Sequence, residues 1–499
     1  MTKLEVLKEL TFGARVAEEE TDALTTYFVE TDLWQKLYSG EVDIVYGPKG
    51  CGKSALYALL LARDTQLFDR DILLAPAENP RGAPAFKGLV ADPPATEPEF
   101  IGLWKLYVAC LLTDVFTEYG VKNGPASIVR KALEQERLIQ RPKNLAGLLR
   151  GVADYVRQAI RRSSIEGGVE VDPNTGLLKG FTGKITFQEP SAIGRDQGYI
   201  SVDDLLAQAE QALAAENQTV WVLLDRLDVA FAEAAPLEQN ALRALFRVYL
   251  DLLSHAHIRL KIFLRTDIWG RITKTGFREA SHITRHMTIS WDRRTLLNLV
   301  VRRALRNRVL AEFYGVDVAT VLATTSSQET FFNRMFPKQV EVGSRKPDTF
   351  GWMLGRTKDG TGHTAPRELI HLFNSLRDVQ VKRLEVGDAE PDGEELFVRA
   401  AFKEALGEVS RTRLEQTLLA EYPGLKARMD GLRKEKTLHT AKSLAAIWRA
   451  SPDEAAAGAA ELVEVGVFEQ RGTKEEPEYW VPFLYRDGLD LVQGTADEE

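Results

Sequence analysis

Eight residues near the start of the chain have the types and the spacing of a phosphate-binding loop. They fit the pattern G-x-x-x-x-G-K-S and are Gly47, Pro48, Lys49, Gly50, Cys51, Gly52, Lys53 and Ser54. In such a loop the backbone N–H groups hold phosphate oxygens, helped by the positive end of the following helix. We expect Lys53 to reach the β- and γ-phosphates and the Ser54 hydroxyl to bind Mg²⁺. The motif therefore predicts a site for ATP and Mg²⁺ that extends from Gly47 to Ala55.

The segments on either side of this loop are the ones that the chemistry requires. Residues 42–46 are β-prone and residues 55–63 are good helix formers, which predicts strand, glycine loop and helix in succession. The glycines permit dihedral angles that other residues avoid, and they let the backbone approach a ligand closely. Cys51 stands where the pattern accepts any residue, and we assign it no redox role. A glycine-rich turn that merely precedes a helix is the alternative, which the flanking segments disfavour.

Composition is that of a globular protein with more than one domain. The 499 residues are 44% hydrophobic and 27% charged, enough for about two to four domains. The net charge of −8 means that any nucleic-acid-binding surface must be local. Two cysteines without metal-type spacing, and no signal-peptide core in residues 1–10, predict a cytoplasmic protein. We expect no membrane contact, because no apolar run approaches ~18 residues.

Five apolar runs separated by helical segments predict a parallel α/β sheet. These runs are residues 42–46, 71–75, 220–225, 259–265 and 286–291. Helices followed by a terminal β-hairpin predict a winged helix near the end of the chain. The domains expected are an N-terminal helix (1–40), a P-loop ATPase core (41–292) with a helical and β-hairpin insertion at about 76–200, a helical lid (293–386) and a winged-helix-like domain (394–494).

A carboxylate for the metal is predicted at the end of the third apolar run. Residues 220–225 are apolar up to Asp225, and ligands of open parallel sheets gather at the carboxyl ends of strands. We therefore expect Asp225 to bind Mg²⁺ together with Ser54. Arg226 follows where many ATPases carry the glutamate that activates water, so Asp228 is the candidate for that base. The alternative for Arg226 and Asp228 is capping and ion pairing at a strand-to-helix turn.

Two further segments carry polar residues suited to sensing the γ-phosphate. Thr266 and Asp267 follow the fourth apolar run, and Thr266 is the predicted polar sensor; capping of the next helix is the alternative. Pro366 is expected to begin a helix, which puts Arg367 in its first turn. There Arg367 can touch the γ-phosphate and couple the lid to the nucleotide, whereas simple solvent exposure is the alternative. The predicted catalytic residues are Lys53, Asp225, Asp228, Thr266 and Arg367.

These motifs, in this order, resemble a known group of enzymes. The segments are the P-loop, Leu223-Leu224-Asp225-Arg226-Leu227-Asp228, Leu264-Arg265-Thr266-Asp267 and Pro366-Arg367-Glu368-Leu369-Ile370. They are similar to those of bacterial P-loop ATPases related to the initiator, origin-recognition-like AAA+ class and to the KAP and STAND NTPases. The resemblance implies an AAA+-like core with a helical lid and a winged helix. It also implies an ATP-driven switch, often oligomeric, carried on genomic islands and linked to defence against phage.

Two parts of this resemblance leave the site open. Arg226 departs from the acidic pair common in the group, which leaves the identity of the catalytic base undecided. The group also uses an arginine finger to complete a neighbour's site. Arg265 and Arg285 are the candidates for that role, and the sequence does not select between them.

The function predicted is an ATPase whose nucleotide state controls homo-oligomer assembly or contact with a second effector protein. The alternative is a DNA-binding initiator or loader that acts through the winged helix. Residues 396–499 hold 14 Lys and Arg against 19 Asp and Glu, yet residues 424–442 hold six basic and two acidic residues. A nucleotide-holding scaffold with little turnover is a third interpretation, suggested by Arg226. A small-molecule kinase and a GTPase are disfavoured, the latter because no N-K-x-D motif is present.

Overall fold

The chain divides into two units, each with its own hydrophobic core. Unit 1 consists of Met1–Glu30, Pro48–Gly52 and Ser290–Glu499, and unit 2 of Thr31–Gly47 and Lys53–Ile289. The computed structural model describes residues 1–15, 19–20, 28–77, 96–139, 147–156, 185–187, 189–190, 192–196, 198–227, 235–274, 276–473 and 475–496. The centre of the P-loop therefore belongs to unit 1, whereas its strand and its helix belong to unit 2.

Strands and helices alternate up to residue 289, and helices dominate after it. The elements up to residue 289 are α1 (Lys3–Glu9), α2 (Asp32–Ser39), β1 (Ile44–Gly47), α3 (Lys53–Ala62), α4 (Asp64–Phe68), β2 (Ile72–Pro76), α5 (Glu97–Glu118), α6 (Gly124–Gln135), β3 (Ile185–Thr186), α7 (Ala192–Asp196), β4 (Ile200–Ser201), α8 (Val202–Ala215), β5 (Thr219–Leu224), α9 (Ala235–Leu252), β6 (Ile258–Arg265), α10 (Thr266–Lys274), a 3₁₀ helix (Arg278–His282) and β7 (His286–Thr288). The later elements are α11 (Arg293–Leu305), α12 (Arg308–Tyr314), α13 (Val318–Leu322), α14 (Thr325–Met335), α15 (Thr349–Thr357), α16 (Pro366–Glu385), α17 (Arg399–Thr412), a π-helical turn (Arg413–Leu418), α18 (Leu419–Glu421), a 3₁₀ turn (Pro423–Leu425), α19 (Lys426–Gly431), β8 (Lys436–Thr440), α20 (Ala441–Trp448), α21 (Pro452–Glu464), β9 (Glu469–Gly472), β10 (Pro477–Trp480), α22 (Phe483–Arg486) and β11 (Val492–Thr495).

Unit 2 is built on a five-stranded parallel sheet with the order β2-β5-β6-β1-β7. All five strands were predicted, and the parallel α/β core is confirmed. The central strands are buried, as expected of continuous apolar runs covered on both faces. Strand β6 lies between the P-loop strand β1 and β5, which leads into Asp225. Gly47 pairs with Arg265 and Leu224 with Ile262, so these three strands end at the same edge of the sheet.

The long helix α5 fills the core beside this sheet. By length and composition this helix could cross a membrane. Yet 78% of its most apolar window is buried inside the protein. The Trp104 indole donates a hydrogen bond to the Ala241 carbonyl at 2.8 Å, and the Tyr107 hydroxyl donates one to Ala77 at 3.0 Å. The apolar surface of α5 therefore serves the core of unit 2.

Part of the predicted insertion in unit 2 lies within the described residues. Helix α8 begins at the predicted cap, where the Ser201 hydroxyl accepts from the Asp204 N–H at 2.9 Å. The turn and the alternation in residues 169–189 predict a hairpin, most of which lies outside the described residues. Its described part, β3, pairs in parallel with β4. The distance along the chain from β3 to β4 permits a parallel connection, which the alternating pattern could not reveal.

Unit 1 joins the N-terminal residues to the C-terminal helices in one core. Helix α1 opens with a capping box formed by Thr2 and Glu5. Phe12 is buried, and its ring centroid lies 4.8 Å from that of Phe373 in α16. Much of the acidic helical stretch predicted after Gly13 falls on residues 16–18 and 21–27, outside the described part of the chain. Helix α16 begins at Pro366, as predicted.

The C-terminal part of unit 1 has the element order of a winged helix: β8, α20, α21, β9 and β10. Strands β9 and β10 form the predicted antiparallel hairpin, and β8 pairs with β10 on its other side. Strand β11 adds to β8 in parallel, which gives the order β11-β8-β10-β9. The sequence pattern predicts helix throughout residues 394–450, and the strand β8 corrects this prediction. Its alternating burial comes from pairing with strands far along the chain.

Candidate nucleotide site

The P-loop has the backbone that its glycines predict. Strand β1 ends at Gly47 and helix α3 begins at Lys53, with the turn between them. Gly50 has φ +77° and Gly52 has φ +108°, both in the region where a side chain is strained. No heavy atom lies within 4 Å of the Cβ position of Gly52, so the loop is open at that residue.

The side chains that follow the loop stand at the start of a firmly anchored helix. The Lys53 ammonium donates a hydrogen bond to the Gly47 carbonyl at 2.9 Å, across the mouth of its own loop. Ser54 and Ala55 are half-buried, and the next turn of α3, from Leu56 to Leu60, is buried. A buried turn directly behind the loop fixes the direction in which the helix dipole acts.

Three side chains of unit 1 contact the central residues of the loop. The Trp291 indole Nε1 donates to the Cys51 carbonyl at 2.8 Å. The Lys49 ammonium forms an ion pair with Glu421 at 2.7 Å. Arg367 lies beside Gly50, where a Cβ atom would stand 3.0 Å from the Cβ atom of Arg367.

Of these three contacts, the sequence predicts only the one made by Arg367. Arg367 was predicted to lie in the first turn of a helix near the phosphates, and the structure puts its stem against Gly50. Its Nε is buried and makes no hydrogen bond among the described residues. Trp291 and Glu421 were not predicted. No local pattern marks either residue, because each meets the loop only through the tertiary fold.

Asp225 and Arg226 directly follow strand β5 in unit 2. Asp225 is 3% exposed, at the carboxyl edge of the sheet that also carries Gly47. Arg226 follows with φ +56°, a left-handed conformation that costs a non-glycine residue roughly 1–2 kcal/mol. Such strain is common at ligand sites, where the surrounding structure holds it in place. Asp228 lies outside the described residues.

The end of strand β6 carries an ion-paired aspartate. Arg265 donates to Asp267 through Nε at 3.0 Å and through Nη2 at 2.8 Å, a bidentate pair. Burial opposes ionisation of Asp267, but the charges of Arg265 and Arg271 and the hydrogen bonds from Arg265 lower its pKa. Thr266 is half-buried and is the first residue of α10. Asp267 thus enters the first turn of a helix, where a carboxylate is favoured by the dipole.

The two finger candidates stand at opposite ends of the same sheet. Arg265 pairs in register with Gly47 at the carboxyl ends of the strands. Arg285 lies at the amino ends, where its Nε donates to Asp43 at 2.5 Å and its Nη2 also bonds the Gly40 carbonyl. Arg285 is therefore remote from the edge at which the P-loop begins.

The chemistry of this edge fits a phosphate ester and its metal. Within unit 2, Lys53 could supply a cation, and Ser54 and Asp225 are oxygen donors of the kind that Mg²⁺ prefers. Among the described residues no group of three or more His, Cys, Asp or Glu could hold a metal by itself. A Mg²⁺ ion held by one hydroxyl and one carboxylate takes its remaining ligands from water and phosphate.

Comparison with known proteins gives matches in structure alone. No known protein family matches the chain, and no curated protein matches it. It is similar to the structure of the Aeropyrum pernix ORC1 protein in complex with DNA, with 11% sequence identity, 96% of each chain covered and a TM-score of 0.38. It is also similar to the Aeropyrum pernix ORC2 protein in ADPNP–ADP complexes, with 12% identity, 94% of each chain covered and a TM-score of 0.30.

Proposed function

We propose that the protein is a Mg²⁺-dependent ATPase that couples its nucleotide state to self-assembly or to contact with a second effector protein. The observation that carries this proposal is the P-loop itself. It follows a strand of a parallel sheet, its glycines Gly50 and Gly52 are left-handed, and Lys53 opens the next helix. A buried aspartate, Asp225, ends a second strand at the same edge. Open α/β sheets bind their ligands at this edge.

Each residue of the site has an assigned role. The loop N–H groups and Lys53 bind the β- and γ-phosphates, and Ser54 and Asp225 hold Mg²⁺, which neutralises phosphate charge when bound. We assign Thr266 to orient the γ-phosphate from the end of β6. Arg367, whose stem packs against Gly50, is assigned to contact the same phosphate from the first turn of α16.

The base that orients the attacking water is assigned to Asp228, three positions after Asp225. Arg226 occupies the position directly after the metal-binding aspartate, where it cannot accept a proton. The next acidic residue along the chain is Asp228.

Phosphate release by the purified protein tests this proposal. We expect turnover that requires Mg²⁺ and that falls on the order of 100-fold in Lys53→Ala and in Asp225→Ala, because each removes charge stabilisation of the transferred group. Calorimetric titration with ATP separates lost binding from lost chemistry. Circular dichroism and thermal unfolding of both variants serve as folding controls. Undiminished turnover in both folded variants would falsify the proposal.

The switch part of the proposal predicts a change of assembly with nucleotide. We expect mass photometry to give different particle masses with ATP and with ADP, and no difference in Lys53→Ala. The resemblance extends the proposal to cytoplasmic defence against phage. A plaque assay that compares cells carrying the wild-type gene with cells carrying Lys53→Ala tests that extension, and equal plaque numbers would reject it.

DNA binding through the winged helix is the second candidate function, favoured by the order β8, α20, α21, β9 and β10. Charge weakens it. Three of the six basic residues in 424–442 are in ion pairs, namely Lys426 and Arg433 with Asp430 and Arg428 with Glu461. The exposed face of α21 carries Asp453, Glu461 and Glu464. Binding to a phosphate backbone needs several free cations.

A mobility-shift assay across a salt series distinguishes this second function. DNA binding that weakens steeply with salt, and that is lost in Lys434→Ala/Lys436→Ala, would support it. Lys8→Ala, in α1, is the matched control for a change in net charge. No shift at low salt would reject the DNA-binding function and leave the ATPase proposal intact.

A further inference from the structure

Two residues that lie far away in the sequence contact the P-loop. Trp291 follows the last strand of the sheet, and Glu421 ends helix α18, more than a hundred residues later. Both contact Pro48–Gly52, and all of these residues belong to unit 1. The motif itself requires neither contact, because the pattern leaves positions 49 and 51 unconstrained.

The bond from Trp291 fixes the orientation of one peptide group of the loop. The indole Nε1 donates to the Cys51 carbonyl at 2.8 Å. A peptide group is planar and trans, so the Cys51 carbonyl and the Gly52 N–H point in opposite directions. An indole that binds the carbonyl on one side therefore directs the Gly52 N–H to the other side. No heavy atom fills the Cβ position of Gly52, and its φ of +108° is tolerated by glycine.

The ion pair between Lys49 and Glu421 holds the first half of the loop. Its Nζ–Oε1 distance is 2.7 Å, and the two side chains are only 27% and 23% exposed. A partly shielded pair is screened less by salt than a surface pair. The pair also holds the Lys49 ammonium against the Glu421 carboxylate.

The helix that carries Glu421 is connected to other parts of unit 1 through Arg413. It lies just after the π-helical turn that begins at Arg413. Arg413 donates to Glu368 through Nη1 at 2.8 Å and to the Tyr485 hydroxyl through Nε at 3.3 Å. Glu368 is the next residue after Arg367. The helix that carries Glu421 is thus linked by side chains both to α16 and to the winged-helix part of the chain.

We propose that Trp291 and Glu421 are positioning residues of the nucleotide site. Trp291 orients the peptide between Cys51 and Gly52 so that its N–H can bind phosphate. Glu421 holds Lys49, and through it the turn that precedes Gly50. Nucleotide affinity then depends on the C-terminal helices, although neither residue touches the nucleotide. This inference rests on the proposed function, since it concerns the same loop.

Binding of Mg²⁺–ATP by calorimetry tests the role of Glu421 in a double-mutant cycle. We expect Lys49→Gln and Glu421→Gln each to weaken binding about fivefold, and the double variant to be no weaker than either, because both changes break one interaction. The charge swap Lys49→Glu with Glu421→Lys should restore affinity to within about twofold of wild type. Lys8→Gln, which breaks the ion pair with Glu385 at 2.7 Å, is the control and should leave affinity unchanged.

Trp291→Phe tests the indole bond, because it keeps a ring and removes only the N–H donor. We expect ATP binding to weaken about three- to tenfold, the effect of one lost hydrogen bond, with little change in melting temperature. Trp448→Phe is the matched control: the Trp448 indole donates to the Arg428 carbonyl at 3.1 Å, in the same unit and away from the loop. Its loss should leave ATP affinity at the wild-type value.

The outcomes separate this inference from the proposed function. If wild-type protein binds no ATP, the proposed function fails and this inference fails with it. If wild-type protein binds ATP but Glu421→Gln and Trp291→Phe bind it equally well, the positioning role alone is overturned. Additive losses in the cycle, without rescue by the charge swap, would overturn the role of Glu421.

Discussion

Where strand β1 begins, a lysine of the neighbouring strand β6 is sealed in the protein, whereas where β1 ends, a lysine stands at the mouth of a loop. Lys261 is 0% exposed; its ammonium donates to Asp43 at 2.8 Å and to the Val42 carbonyl at 2.6 Å, and lies 4.2 Å from the centre of the Trp221 ring. Lys53 is half-buried and donates to a carbonyl of its own P-loop. Both lysines belong to unit 2, so membership of that unit alone does not decide whether a lysine is structural or binds a ligand.

The amino edge is a closed polar network. The second oxygen of Asp43 accepts from Arg285 at 2.5 Å and from the Tyr249 hydroxyl at 3.3 Å. A buried carboxylate with this many donors is satisfied, and its function is structural. The carboxyl edge instead carries Arg226 in a left-handed conformation that is strained for a non-glycine residue. Strain of this kind clusters at ligand sites, so it indicates the binding edge better than buried charge does.

The largest effect is expected from Asp43→Asn at the amino edge. The substitution leaves Lys261 and Arg285 facing each other without a counter-charge, which should lower the free energy of unfolding by about 3–5 kcal/mol. Chemical denaturation of the purified variant measures this change. ATP affinity of the remaining folded protein should stay at the wild-type value. A stability loss below about 1 kcal/mol would show that the network is not closed as described.

The pH dependence of stability provides the next test. Burial lowers the pKa of Lys261 to about 8, although Asp43 favours the charged form. The unfolded chain keeps this lysine protonated up to about pH 10.4, so between pH 8 and that value the unfolded state binds more protons. Stability attributable to Lys261 should therefore rise with pH across this window, by up to about 3 kcal/mol.

The control for this pH series is Lys261→Met, which removes the titrating group. We expect the difference in unfolding free energy between wild type and this variant to grow from pH 8 to pH 10, as measured by urea denaturation at each pH. A difference that stays constant would mean that Lys261 keeps its ordinary pKa in the folded protein.

A matched pair of substitutions compares the two edges directly. Lys261→Met removes one charged hydrogen-bond donor but leaves Asp43 bonded to Arg285 and Tyr249, so we expect a loss of about 1–2 kcal/mol at pH 7. Lys53→Met should change stability by less than about 0.5 kcal/mol, because the lysine is half-exposed. In ATP binding the order should be reversed, with Lys53→Met the damaging change. Equal stability losses would erase the distinction between the edges.

The smallest effect is expected at Arg226. Arg226→Gly removes the steric cost of φ +56°, and it should raise the free energy of unfolding by up to about 1 kcal/mol. Arg226→Val, a β-branched residue in the same conformation, should lower it. Thermal unfolding of the two variants measures the difference. If both changes destabilise equally, the contacts of the arginine side chain outweigh the strain of its backbone.

Local patterns in the sequence were enough to predict the elements of the core. Short β-prone segments, continuous and apolar in the case of residues 220–225, marked the five strands, and the glycines with Lys53 and Ser54 marked the turn after β1. Ser201 and Pro366 marked helix starts, because caps and first-turn prolines act within a few residues of the chain. Each of these signals depends only on residues that are neighbours in the sequence, so the sequence alone reveals it.

Tertiary structure decided which residues meet. The insertion of β6 between β1 and β5, the ion pair of Arg285 with Asp43, and the pairing of β3 with β4 all join segments that no local pattern relates. Trp291 and Glu421 reach the P-loop in the same way. Pairing over long stretches of chain is selected by the packing of whole faces, so the sequence determined the P-loop and its strand, and only the fold decided what holds that loop from outside.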